Sequence, residues 1–142
     1  MSYASLEDLI ERASAVEILQ VADRDQDGVA DPSVIEAALA HADNTVNGYV
    51  RVRYALPFAA VPDLVRTWAV SIARYFLHAD GAPDYVVRDW KEAIAELKDV
   101  SAGRMQLTAA ENQPEPQSSP DGRISVVGPE PVFTSENLKG WL

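Results

Sequence analysis

The chain has 142 residues, a formal net charge of −10 and no cysteine. That length fits one domain with room for a tail, and the missing cysteines exclude disulfides, thiolate metal sites and cysteine nucleophiles. The acidic balance argues against a surface that tracks nucleic-acid phosphates, but it is compatible with a narrow lumen through which DNA slides without sticking. The opening run Met1-Ser2-Tyr3-Ala4-Ser5-Leu6-Glu7-Asp8 has neither a basic nor an apolar signal region, so no signal peptide is read. No apolar run approaches the ~20 residues that span a bilayer. The expectation is a soluble protein made in a cytoplasm, with no membrane partner.

Ser5-Leu6-Glu7-Asp8 reads as a capping box, with Asp8 in place of the usual Glu or Gln. Leu6, Leu9, Ile10 and Ala13 follow as one apolar face. Ser14-Ala15-Val16-Glu17 is a second start signal, so two short helices are expected, Ser5–Ala13 and Ser14–Val21. Their apolar faces are too small to stand alone and must dock on something. After an Asp-rich loop, Asp31-Pro32 reads as an N-cap plus a first-turn proline. Val34, Ile35, Ala38, Leu39, Ala42, Val46, Tyr49 and Val50 then predict one helix running to about Arg53. The run Leu56-Pro57-Phe58-Ala59-Ala60-Val61-Pro62 ends it with an extended connection.

A fourth helix is predicted from Asp63 to His78. Leu64, Val65, Trp68, Ala69, Ile72, Ala73, Tyr75, Phe76 and Leu77 make it apolar on more than one side, which marks a central helix or one at an interface. A fifth runs from Pro83 to Ala102 with Tyr85, Val86, Trp90, Ala93, Ile94, Leu97 and Val100 on its stripe, an Asp84–Arg88 surface pair, and Gly103 as its stop. The fold class is therefore all-α, a small bundle of about five helices at 1–107. Residues 108–142 read as a flexible, Pro-rich C-terminal arm, because Glu111 to Pro131 has too little apolar surface to offset an ordering cost of about 1–2 kcal/mol per residue. The arm ends on Phe133, Leu138, Trp141 and Leu142, side chains that are costly to leave in water. This terminal segment reads as a docking peptide anchored by Phe133, Leu138 and Trp141, or as one that folds back on its own helices.

The most specific chemistry lies in Asp23-Arg24-Asp25-Gln26-Asp27-Gly28-Val29-Ala30-Asp31, the front half of an EF-hand-like calcium loop. Asp23, Asp25 and Asp27 alternate so that three carboxylates can converge on a hard cation. Gly28 stands at the sharp turn, Val29 offers a backbone carbonyl, and Asp31 falls at a position often bridged by water. The bidentate Glu belongs at position 34, where this chain has Val34. Any Ca²⁺ site should therefore be weak, with a Kd on the order of 10⁻⁴–10⁻³ M, and no cofactor is required. The plain alternative is a polar interhelical turn, with Asp31 as a cap and Gly28 at positive φ. His41 lacks a metal-spaced partner and His78 ends a helix, so both read as structural. Trp68, Tyr75, Phe76 and Trp90 read as core. Arg66, Arg74 and Arg88 read as solvated helix faces. No nucleophile and base can be paired, so no enzyme activity is expected.

Taken in order, several groups resemble a known family: Leu19 through Gly28, Asp43 through Gly48-Tyr49-Val50, Arg53-Tyr54-Ala55-Leu56-Pro57, Val61-Pro62, Ile72-Ala73-Arg74-Tyr75, Ala102-Gly103 and Val132 through Gly140. The whole chain resembles the small neck proteins of Mu-like phages and prophages. The resemblance implies a non-enzymatic virion protein, assembled in the bacterial host cytoplasm, of the kind that joins head to tail as an adaptor ring beneath the portal. Its implied partners are itself in a ring, the portal and tail-completion proteins, with DNA only as passing cargo. It carries over no catalytic residue and no metal assignment. The physical reading agrees: a ring adaptor needs a rigid body, complementary faces that close head to tail, and an arm. The alternative is a small calcium-binding regulatory or interaction module that uses the Asp23–Asp31 loop.

Overall fold

The computed structural model describes residues 2–107. Among them are five helices and no strand: α1 (Leu6–Ala13), α2 (Ala15–Ala22), α3 (Pro32–Val50), α4 (Asp63–Leu77) and α5 (Asp84–Ser101). The all-α expectation holds, and each helix lies within a few residues of its sequence-based bounds. The arm at 108–142, with Phe133, Leu138 and Trp141, lies outside the described residues.

The local starts and stops follow side-chain chemistry. Ser5 forms the capping box with Asp8: its N–H donates to Asp8 Oδ2 at 2.8 Å, and its Oγ accepts from the Asp8 N–H at 3.3 Å. Ser14 serves two helices at once. Its N–H donates to Ile10 O at 2.8 Å to close α1, and its Oγ accepts from the Glu17 N–H at 3.3 Å to open α2. Asp31 occupies the N-cap position of α3, but its side chain makes no cap bond. Its Oδ2 instead accepts from the Arg24 N–H at 2.9 Å, so the carboxylate closes the loop behind it.

The central element is α4. Trp68 through Arg74 are buried without interruption, and this helix packs against α1, α3 and α5. Ala38 and Ala42 on α3 and Ala69 and Ala73 on α4 are all fully buried, and small side chains let helices approach closely. Val46 and Val50 of α3 and Leu97 and Val100 of α5 complete the core. Trp68, 1 % exposed, satisfies its indole N–H by donating to Glu96 Oε2 at 2.5 Å. On α1, Leu9 alone is fully buried, while Leu6 and Ile10 stay about 38 % and 37 % exposed. Tyr75 and Trp90 stack at 4.3 Å, half-buried. Phe76, expected in the core, is instead 44 % exposed on the far side of α4, stacked on His41 at 4.4 Å.

The connection from α3 to α4 ties back the end of α5. Arg53 donates to the carbonyls of Ser101 and Ala102, at 3.3 and 3.2 Å, where the last carbonyls of a helix lack partners. Its guanidinium lies over Gly103, which sits at φ +79°, and a Cβ there would meet Arg53 Cζ at 2.6 Å. Buried Tyr54 accepts from the Leu107 N–H at 3.0 Å, anchoring the last described residue beside the C-terminal end of α3. Arg88 pairs with Asp89 at 3.3 Å rather than with Asp84.

Two glycine substitutions separate these effects. Gly48 lies within α3, where an added Cβ meets nothing within 4 Å, so Gly48→Ala should stabilise the fold by about 0.5–1 kcal/mol. Gly103→Ala should destabilise it by about 1–2 kcal/mol, through positive φ and a displaced Arg53. Urea denaturation of the two variants checks both signs.

Candidate functional site

The acidic loop joins α2 to α3 and is closed at its base by the Asp31 N–H donating to Ala22 O at 3.0 Å. Within it, carboxylates organise backbone N–H groups. Asp23 Oδ2 accepts from Gly28 at 2.9 Å and Asp23 Oδ1 from Asp27 at 3.1 Å; Asp25 Oδ1 also accepts from Asp27, at 3.2 Å. Asp27 Oδ1 accepts from the Val29 N–H at 2.8 Å. Gly28 has φ +89° and Gln26 φ +60°, so the chain turns through the left-handed region twice.

These bonds gather three acids. One carboxylate oxygen each from Asp23, Asp25 and Asp27 lies within 4.8 Å of the other two. Oxygens that ligate one Ca²⁺ at 2.3–2.6 Å stand at most about 5 Å apart, so the cluster fits a hard cation. Asp31 is not brought into it, because its carboxylate is turned to the Arg24 N–H. Val29 enters the loop's bonding through its N–H, and its side chain is 63 % exposed. Val34 is half-buried and packs on the core in the first turn of α3, so no carboxylate closes the site from that helix. Of the residues read from the sequence, the side chains brought within 4.8 Å of one another are those of Asp23, Asp25 and Asp27.

The electrostatics of the loop reflect that crowding. Asp23 is held below the ordinary carboxylate value: desolvation in the loop opposes this, but donors from Gly28, Asp27 and Gln26 and its bond with Asp25 outweigh it. Asp25 is raised; the Asp27 N–H pulls it down, but desolvation, the hydrogen bond with Asp23 and the charges of Asp27 and Asp31 outweigh it. A divalent cation would relieve that repulsion.

A second polar cluster, missed in the sequence, lies under the loop. Arg74 is 7 % exposed, not on a solvated face, and its guanidinium grips Glu17 of α2 in two bonds of 2.8 and 2.7 Å. His78 Nε2 stands 3.0 Å from the same carboxylate, and Arg74 lies 5.2 Å from the centroid of the Tyr85 ring. The Arg74 bond is the main reason the Glu17 carboxyl is lowered, and the same bond raises Arg74. A signal existed: Arg74 and His78 are four apart, hence on one helix face, so one acid can serve both. The arrangement fastens α2 to α4.

Arg24, within the loop, projects away from the acids. Its guanidinium donates to the carbonyls of Val21 and Leu77, at 3.3 and 3.5 Å. It lines an open groove of about 670 Å³ with Val34 and Ala37 of α3, Phe76 of α4 and Val87 of α5.

Fold and loop together define a small all-α protein built round one buried helix, with an acidic interhelical turn. The chain belongs to the family described as Bacteriophage Mu, Gp36, whose match covers residues 3–126. It is 29 % identical over 140 residues to the Mu-like prophage FluMu protein gp36 of Haemophilus influenzae, a match that covers 99 % of this chain and 98 % of that protein. It is also 27 % identical over 145 residues to gene product J of Escherichia phage Mu, with both chains covered in full. The expected kinship with Mu-like phage proteins is thus shown. Among the described residues, no helix is long and apolar enough to cross a membrane.

The loop geometry sets an expected affinity. Calorimetry with Ca²⁺ should give a Kd on the order of 10⁻⁴–10⁻³ M for the wild type and no heat of binding for the Asp25→Ala, Asp27→Ala double variant. Submicromolar binding would show that further ligands close the site.

Proposed function

We propose that this chain is a structural subunit of a Mu-like virion, a head–tail connector that forms an adaptor ring beneath the portal. The observation that carries the reading is membership of the Mu Gp36 family over residues 3–126, with relatives matched along essentially their whole length. The physical features fit. A body centred on the buried α4 is rigid enough to hold a ring's geometry. Leu6, Ile10, Val16 and Leu19 are exposed on the α1–α2 hairpin, an apolar surface suited to a neighbouring subunit. The net charge of −10 suits a lumen that DNA crosses without adhering.

In this reading the protein is non-enzymatic and monomeric alone, and it meets the portal on one side and tail-completion proteins on the other. Phe133, Leu138 and Trp141 anchor the C-terminal segment in a neighbouring subunit or the adjoining ring. Burying one such side chain contributes about 1.5–3 kcal/mol, so three can hold an assembly after ordering costs are subtracted.

A second reading, a small calcium-binding regulatory module, draws on the convergence of Asp23, Asp25 and Asp27. Against it stand Val34 in place of a bidentate acid and a loop whose carboxylates already hold its backbone.

Deleting Val132–Leu142 from the gene in a complete phage genome tests the connector. Lysates should contain DNA-filled heads and separate tails, counted by electron microscopy, with infectivity restored by the full-length protein in trans. Normal joined particles from the deletion would refute the docking role, and absence of the protein from purified wild-type particles would refute the connector reading.

A further inference from the structure

The groove beside Phe76 has an unusual make-up for an exposed surface. Its walls are apolar, from Val34, Ala37, Phe76 and Val87, and Phe76 is held on its rim by the stack on His41. At one end stands Arg24, which pairs with no carboxylate among the described residues. The surface therefore suits an apolar peptide with an acid beside its anchoring side chain.

The chain itself contains such a peptide. In Val132–Leu142, Phe133, Leu138, Trp141 and Leu142 are the large apolar residues, and Glu136 follows Phe133 by three positions. The tether fits too. Leu107 is fixed at Tyr54, just past the end of α3, whereas Val34 and Ala37 lie in its first turns. Sixteen residues of helix separate Val34 from Val50, so the groove lies about 25 Å from the anchor at 1.5 Å per residue. Twenty-five residues join Leu107 to Phe133. Fully extended at about 3.3 Å per residue, a segment of that length reaches well beyond that distance, so the C-terminal residues can meet the groove of their own chain.

We propose that in the free protein the groove between α3, α4 and α5 is the seat of the chain's own C-terminal segment, with Phe133 against Phe76 and Glu136 toward Arg24. The seat closes the groove to other copies, and an assembled neighbour would receive the same segment by exchange. This inference does not depend on the connector reading, because it concerns the isolated protein.

The absence of cysteine makes the test clean. Full-length protein carrying Ala37→Cys and Ser135→Cys is oxidised at low concentration and compared with Glu92→Cys plus Ser135→Cys, where Glu92 is exposed on α5 away from the groove. The intrachain disulfide should form about tenfold faster or more at position 37, and Phe133→Ser with Trp141→Ser should remove that advantage. Equal rates at the two positions, or an advantage that survives loss of the anchors, would overturn the seat. Interchain rather than intrachain products would also overturn it, and would assign the groove to a second copy.

Discussion

One ion pair governs how this molecule is put together. Arg74 sits in a helix that is buried nearly all round, where an unpaired guanidinium would be untenable. Glu17 answers it with both carboxylate oxygens, and His78 closes the cluster from one turn further along. Charge-assisted, two-pronged bonds of this kind fix orientation as well as distance. They determine how α2 lies on α4, and α2 carries α1 at one end and the acidic loop at the other. Next to that contact, Arg24 of the loop donates to the Leu77 carbonyl at the end of α4, at 3.5 Å.

The remaining packing divides into a dense interior and an unfinished surface. Alanines at the α3–α4 crossing let two helices approach closely, and Trp68 fills the side toward α5 while Glu96 satisfies its indole. By contrast, the α1–α2 hairpin buries little beyond Leu9, Ile18 and Ala22 and leaves Leu6, Ile10, Val16 and Leu19 at least a third exposed. A hairpin with so little apolar anchorage depends on polar fastening: Glu17 to Arg74, and Arg12 to Asp89 of α5 at 3.2 Å. The same economy leaves apolar surface available to a neighbour, which is what an assembling subunit requires.

Much of this was legible in the residues. The capping box at Ser5, the start signal at Ser14, the apolar stripes of α3 and α5 and the all-round apolarity of α4 are periodic or local signals, and they placed every helix. Position Gly28 at positive φ and the convergence of Asp23, Asp25 and Asp27 were legible for the same reason. What escaped was tertiary. Asp31 stands at the N-cap of α3 as read, but its side chain makes no cap bond, because its carboxylate accepts from the Arg24 N–H instead. Arg74 looked like a surface charge, because the acid that allows its burial lies 57 residues away. Phe76 looked like core, because an apolar pattern that runs round a helix does not say where its neighbours stop.

The claim on which the account rests is that the Glu17–Arg74 pair fastens the α1–α2 hairpin to the body. Amide hydrogen exchange at neutral pH on Glu17→Gln measures this most directly, since it reports stability segment by segment. The account predicts that protection falls selectively in α1, α2 and the acidic loop, while the centre of α3, α4 and α5 keeps its wild-type protection. Unchanged protection in α1 and α2, or an equal loss in all five helices, would contradict it.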